Sequence, residues 1–200
     1  SSDLGICKAL LSIDGQTLLE RQLLAMFRAG IERCVVVARH PSDAVTCMIQ
    51  QTTALQTRCI VVHLDDLQDH GQDLQQSVRT GLRAVKKQTA SMPSPVVVSL
   101  ADLPLLGEWQ IRGLLQFAQE KCAQVLIPCS ENNEPGHPIY LSAHALDAMD
   151  LDRLDFSLRR WLQAPSHGLT VMRMAPNGPY IEHRNLLSTL REILRKNIGI

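Results

Sequence analysis

Residues 96–106 read VVVSLADLPLL, and the order of residues in this stretch decides the fold. Three β-branched residues run towards an acid, Asp102, and Pro104 follows two positions later. An unbroken apolar run of this kind suits a strand covered on both faces, as in a parallel sheet. Pro104 cannot continue a central ladder, so the strand is expected over residues 96–100. Asp102 then lies just past the carboxyl end of a central strand, where open α/β sheets bind their ligands. A carboxylate there suits magnesium, which takes one or two carboxylates together with phosphate oxygens. An Asp ahead of a helix that starts near Glu108 is also a common cap, and position alone admits both roles.

Outward from this strand, helix and strand signals alternate in both directions. On the amino side, residues 71–85 (GQDLQQSVRTGLRAV) read as a turn and then a helix. Ser77 and Gly81 lie four apart and share one small helical face. That face suits the close approach of a base or backbone, and equally a helix packed tightly on a sheet. Residues 59–63 and 34–38 read as strands, and residues 43–55 as a helix. Residues 15–29 read as an amphipathic helix, with Leu18, Leu19, Leu23, Met26 and Phe27 on one stripe and Gly30 ending it. Before it lies SSDLGICK, residues 1–8, a loop in which Gly5 can take a positive φ and wrap phosphates with its backbone N–H groups. Lys8 offers those phosphates a positive charge.

On the carboxyl side, residues 109–119 read as a helix, 125–128 as a strand and 130–136 as a loop. Gly136, His137 and Pro138 form a turn into a short strand at 139–141. His137 suits a phosphate or substrate contact, or a ring held by the turn itself. Residues 142–149 and 157–162 are expected to be helical, 169–174 a strand and 185–196 a terminal helix. This rhythm predicts a single domain over 1–200, an α/β/α three-layer sandwich on a mostly parallel sheet.

Composition narrows the function classes. Twenty basic residues balance twenty acidic ones, so no global field favours nucleic acid or an anionic membrane. No run approaches the ~20 apolar residues that a membrane helix needs. Six cysteines (Cys7, Cys34, Cys47, Cys59, Cys122, Cys129) form no CxxC pair and no metal-ligand spacing. With no leader-like segment at the start, the chain is expected in a reducing cytoplasm.

Six segments in order carry a family resemblance. SSDLGICKALL resembles the signature loop (roughly SSRMGxxKALL) of nucleotidyltransferases related to the molybdenum-cofactor cytidylyltransferases and guanylyltransferases. GQDLQQSVRTGL resembles that family's GMxxSLRxGL, LADLPL its GDQPL and GHPI its GHPV. DFSLRRWL resembles its DxGARxLL, and IEHRNLLSTL its IDTPEDLxxL. The resemblance implies a glycosyltransferase-A-like nucleotidyltransferase fold. It implies transfer of CMP from CTP to a phosphorylated acceptor, a molybdopterin, with magnesium as cofactor and a molybdoenzyme as a further partner. Asp102 and Glu182 are then metal ligands, and Asp102 and Lys8 the catalytic pair. Gly5, Lys8, Ser77 and Gly81 contact the nucleotide, and Gly136 and His137 the acceptor side.

The departures define the alternatives. The chain opens inside the signature loop, so the family's first strand is expected to be missing. Asp3 stands where the family has arginine, and Glu182 and Tyr180 where it has aspartates. Ala101 replaces a glycine, and Leu103 the polar residue after the acid. An acid facing a triphosphate reverses the sign of a contact, which predicts a poor transferase. A weak relative that binds cofactor or nucleotide during molybdoenzyme maturation therefore stays open. So do a GTP- or sugar-nucleotide-forming transferase and a plain interaction domain of the same fold.

Overall fold

The computed structural model describes residues 8–39, 43–64, 73–89, 94–130, 132–164 and 168–174. The predicted terminal helix at 185–196 lies outside them. A single 3-10 turn, Lys8–Leu10, leads into a hairpin of β1 (Ser12–Ile13) and β2 (Gln16–Thr17). Asp14 and Gly15 turn this hairpin with φ of 53° and 80°. A two-residue turn with both φ positive matches the twist of its strands, and Asp-Gly is a favoured pair for it. The hairpin takes the first residues of the helix expected over 15–29. Helix α1 spans Leu18–Arg28, and the Thr17 hydroxyl caps it by accepting from the Glu20 N–H at 3.1 Å.

Strands β3 (Cys34–Arg39) and β4 (Cys59–Leu64) pair in parallel, Cys34 opposite Cys59 and Val37 opposite Val62. The single helix expected between them is two: α2 (Asp43–Gln51) and α3 (Thr53–Gln56). The break is at Thr52, whose backbone is extended and whose hydroxyl donates back to the Met48 carbonyl at 3.1 Å. That local bond competes with helix continuation. Helix α4 (Asp73–Gln88) packs on β3 and β4.

A four-stranded sheet follows, from β5 (Val96–Val98), β6 (Val125–Pro128), β7 (Ile139–Leu141) and β8 (Val171–Met174), in the order β5-β7-β6-β8. β6 and β8 are parallel, whereas β7 runs antiparallel to both β5 and β6. β5, β6 and β8 thus share one direction, as a mostly parallel sheet requires, and β7 alone is reversed, because the turn at 136–138 sends the chain straight back between β5 and β6. The fold is α/β, and alternation along the strands shows that both faces are covered. Val96, Val98, Val125, Ile127, Ile139 and Leu141 enter one core with Val78, Leu82 and Val85 of α4. Helices α6 (Ala143–Asp147) and α7 (Leu158–Gln163) close that side. Val97, Leu126 and Tyr140 point the other way, against Leu114 and Ala118 of α5 (Glu108–Glu120). Period-two switching of apolar residues between two cores is what a doubly covered sheet requires. Among the described residues no helix is long and apolar enough to cross a membrane.

Candidate active site

The β5 ladder ends at Val98, two residues earlier than expected, and Ser99 and Leu100 lead to a turn at Ala101 and Asp102. With no ladder, these residues are held by side chains from elsewhere. The Val98 carbonyl lies 3.3 Å from His137 Nδ1. A carbonyl oxygen only accepts, so that nitrogen carries the proton in this contact. The Gln22 amide of α1 donates to Ser99 Oγ at 2.7 Å and to the Leu100 carbonyl at 2.6 Å. Asp102 itself is half-buried. Among the described residues its carboxylate has no hydrogen-bond or ion-pair partner.

Helix capping does not account for Asp102. The N-cap of α5 is Gly107, five residues further on. The Gly107 N–H donates to Gln110 Oε1 at 2.9 Å, and the same Gln110 amide donates to the Leu105 carbonyl at 3.1 Å. Glu108 in the first turn pairs with Arg112 at 2.7 Å. Gln110 thus ties down the approach to this helix, and Asp102 takes no part in its cap.

The other sequence-derived residues fall in several places. His137 lies at the end of β5, against the Val98 carbonyl four residues before Asp102. Gly136 is buried and its N–H donates to the Pro128 carbonyl at 2.8 Å, so it anchors the turn to the end of β6. Lys8 is exposed and begins the segment that leads through the hairpin into α1. Ser77 and Gly81 both lie in α4, and Ser77 is half-buried and partnered. A Cβ placed on Gly81 would sit 3.0 Å from Val37 Cγ2 on β3, the close helix-on-sheet approach that the sequence left open. Asp155 of the DFSLRRWL segment is held at two points by Arg153, at 3.0 and 2.9 Å, which keeps its carboxyl below the usual range. Gly5, Glu182, Asp3 and Tyr180 lie outside the described residues.

Sequence reasoning missed Gln22 and Gln110, the two buried glutamines among the described residues, at 4% and 2% exposed. Gln22 left a trace. It sits within the apolar stripe of α1, four residues from Leu18 and from Met26, where a polar side chain must find a partner.

The donor set suits magnesium. A half-buried carboxylate with unengaged lone pairs is an open hard-oxygen ligand, and this ion needs few protein carboxylates when phosphate oxygens complete its shell. Among the described residues no cluster of three or more His, Cys, Asp or Glu side chains forms.

The profile of the MobA-like NTP transferase domain family matches residues 1–170. No curated protein matches the chain. Solved structures do. Mth528, titled a nucleotidyl transferase, from Methanothermobacter thermautotrophicus, is 19% identical at a TM-score of 0.68, over 96% of this chain and 87% of its own. The manganese complex of Rv0371c from Mycobacterium tuberculosis H37Rv is 18% identical at 0.66, over 92% and 91%. Molybdopterin-guanine dinucleotide biosynthesis protein A from Archaeoglobus fulgidus is 19% identical at 0.57, over 96% and 92%. At these identities the likeness establishes the shared fold.

Proposed function

The chain belongs to the family of MobA-like NTP transferase domains, and from that premise we propose that it transfers CMP from CTP to the phosphate of a molybdopterin-type acceptor. An acceptor phosphate oxygen bonds to the α-phosphorus of CTP as the bond to the bridging oxygen breaks, and pyrophosphate leaves with that electron pair. Such transfers ask the protein for positioning and charge stabilisation and little covalent work. Asp102 and Glu182 would hold magnesium, which when bound neutralises charge on the phosphates. Lys8 and the loop around Gly5 meet the triphosphate. Ser77 would contact the nucleoside, with Gly81 setting how closely α4 approaches β3, and Gly136 and His137 would contact the acceptor.

One observation carries this reading: the half-buried Asp102 carboxylate, without a partner among the described residues, on the turn beyond β5. Cytosine is favoured by the likeness of GQDLQQSVRTGL and GHPIYL to the cytidylyl branch. The name of the Archaeoglobus neighbour makes guanine the competing base. A second reading, a weak transferase that mainly binds nucleotide or cofactor, is favoured by Asp3 in the signature loop. Thermal melts with CTP or GTP, with and without magnesium, test the site, and pyrophosphate release with a molybdopterin acceptor tests the reaction. Magnesium-dependent stabilisation larger with CTP is expected. Equal effects of CTP and GTP refute the base preference, and no effect of either refutes the function. Stabilisation without pyrophosphate release leaves the binding-protein reading.

A further inference from the structure

We infer that Gln22 is a positioning residue of the metal-binding turn, acting on Asp102 through the backbone that precedes it; this rests on the proposed role of Asp102. Gln22 is 4% exposed and lies mid-way along α1, between Leu19, Leu23 and Met26 of the core. Both protons of its amide are spent on residues 77 and 78 positions away, Ser99 Oγ at 2.7 Å and the Leu100 carbonyl at 2.6 Å. Its Oε1 is buried with no partner among the described residues. A core glutamine that leaves its own acceptor unsatisfied is a poor choice for stability alone, since an unpaired buried polar atom is destabilising. The arrangement suits a donor chosen for where it points. Leu100 is two residues before Asp102 and two residues past the last ladder position of β5. Its carbonyl therefore sets the direction in which the turn leaves the sheet. Groups that orient metal ligands from outside the coordination shell act in this way.

Gln22→Met keeps the length and volume of the side chain and removes both donors. The magnesium concentration giving half-maximal stabilisation by CTP should rise about ten-fold, the scale seen when outer-shell partners of metal ligands are lost. Hydrogen exchange should quicken in residues 99–102 and stay unchanged in α1. Gln22→Glu adds a readout that simple packing would not move. At about pH 8 the carboxylate repels the Leu100 carbonyl. Towards about pH 6 the protonated form, favoured by burial, donates one hydrogen bond and should recover part of the magnesium response relative to wild type at the same pH. If Gln22→Met does not fold, this pH profile carries the test, and a profile parallel to wild type overturns the inference. A magnesium midpoint unchanged in Gln22→Met, or one that shifts without faster exchange at 99–102, also overturns it and leaves the proposed function standing. A wild-type chain with no magnesium-dependent response to CTP or GTP overturns the proposed function and this inference together.

Discussion

Gly81→Ala separates packing from binding on α4. The added Cβ would lie 3.0 Å from Val37 Cγ2, whereas carbon atoms rest at about 3.5–4.0 Å. Several tenths of an ångström must be found. Val37 is stiff about χ1 and sits inside the β3–β4 ladder opposite Val62, so much of the movement falls on the helix. Overpacking of this kind destabilises by about 1–3 kcal/mol. Alanine in place of a mid-helix glycine returns about 1 kcal/mol of helix propensity. The clash wins by about 1 kcal/mol on these central values, which lowers Tm by about 2–4 °C in a domain of this size. Thermal melts of Gly81→Ala, Val37→Ala and the pair give the coupling directly. In the Val37→Ala background the opposing methyl is gone, so Gly81→Ala should be neutral or stabilising. A Gly81→Ala chain more stable than wild type would refute the packing account. Unchanged stability with a lost CTP response would make the glycine a nucleotide contact.

Asp102→Asn should abolish magnesium-dependent nucleotide stabilisation in thermal melts and move the ligand-free Tm little, because the carboxylate has no partner among the described residues. Retained magnesium dependence would remove Asp102 from the metal site. Among the five described cysteines, exposed Cys47 and Cys122 should react with a disulfide reagent in the native protein, and buried Cys34, Cys59 and Cys129 only after unfolding. Hydrogen bonding with the Cys59 thiol, followed by burial, pushes the Cys34 thiol up, and burial does the same to Cys129, which strengthens the protection of these two. Peptide mapping of the label decides it, and early labelling of Cys34 would contradict the packing of β3. Asp3→Arg should raise CTP turnover at least ten-fold, roughly 1.4 kcal/mol in the barrier, if the acid faces the phosphates. Equal turnover of the two chains would mean that it points away.

What the sequence made legible depended on punctuation by its neighbours. Residues 125–128 and 139–141 were readable as strands to the residue because a loop or the Gly136-His137-Pro138 turn bounds each run. Asp14-Gly15 carried a hairpin signal equally strong, yet the leucine stripe beginning at Leu18 drew Gly15 and the residues after it into a helix. The break at Thr52 goes with an extended backbone and a hydroxyl bonded to Met48, neither of which helix periodicity records. The antiparallel course of β7 is a tertiary fact, since three apolar residues read the same in either direction. At the site, the strand-end place of Asp102 was legible from a proline two residues away. Gln22 was not, because its partners lie 77 and 78 residues later and only their meeting gives the side chain a purpose.

The two clamps at the end of β5 are unequal, and the inequality says which matters more to Asp102. A metal-binding carboxylate has to be held within about half an ångström of its working place. Residues past the last rung of a ladder cannot supply that hold themselves, so it comes from donors on elements that are fixed. His137 is fixed, being flanked by Gly136, whose N–H is tied to Pro128, and by fully buried Pro138. Its contact with Val98 is a single one of 3.3 Å, at a residue still paired with Ile139 of β7. Gln22 makes two contacts under 2.8 Å, both to residues that no ladder holds, and one of them two positions from the acid. Short, paired contacts on unsupported backbone restrict it more than one long contact on backbone already restrained. The histidine is therefore the less needed of the two as a clamp on the backbone that precedes Asp102. The glutamine, buried in α1 and touching nothing that reacts, is the side chain on which the direction of the carboxylate depends.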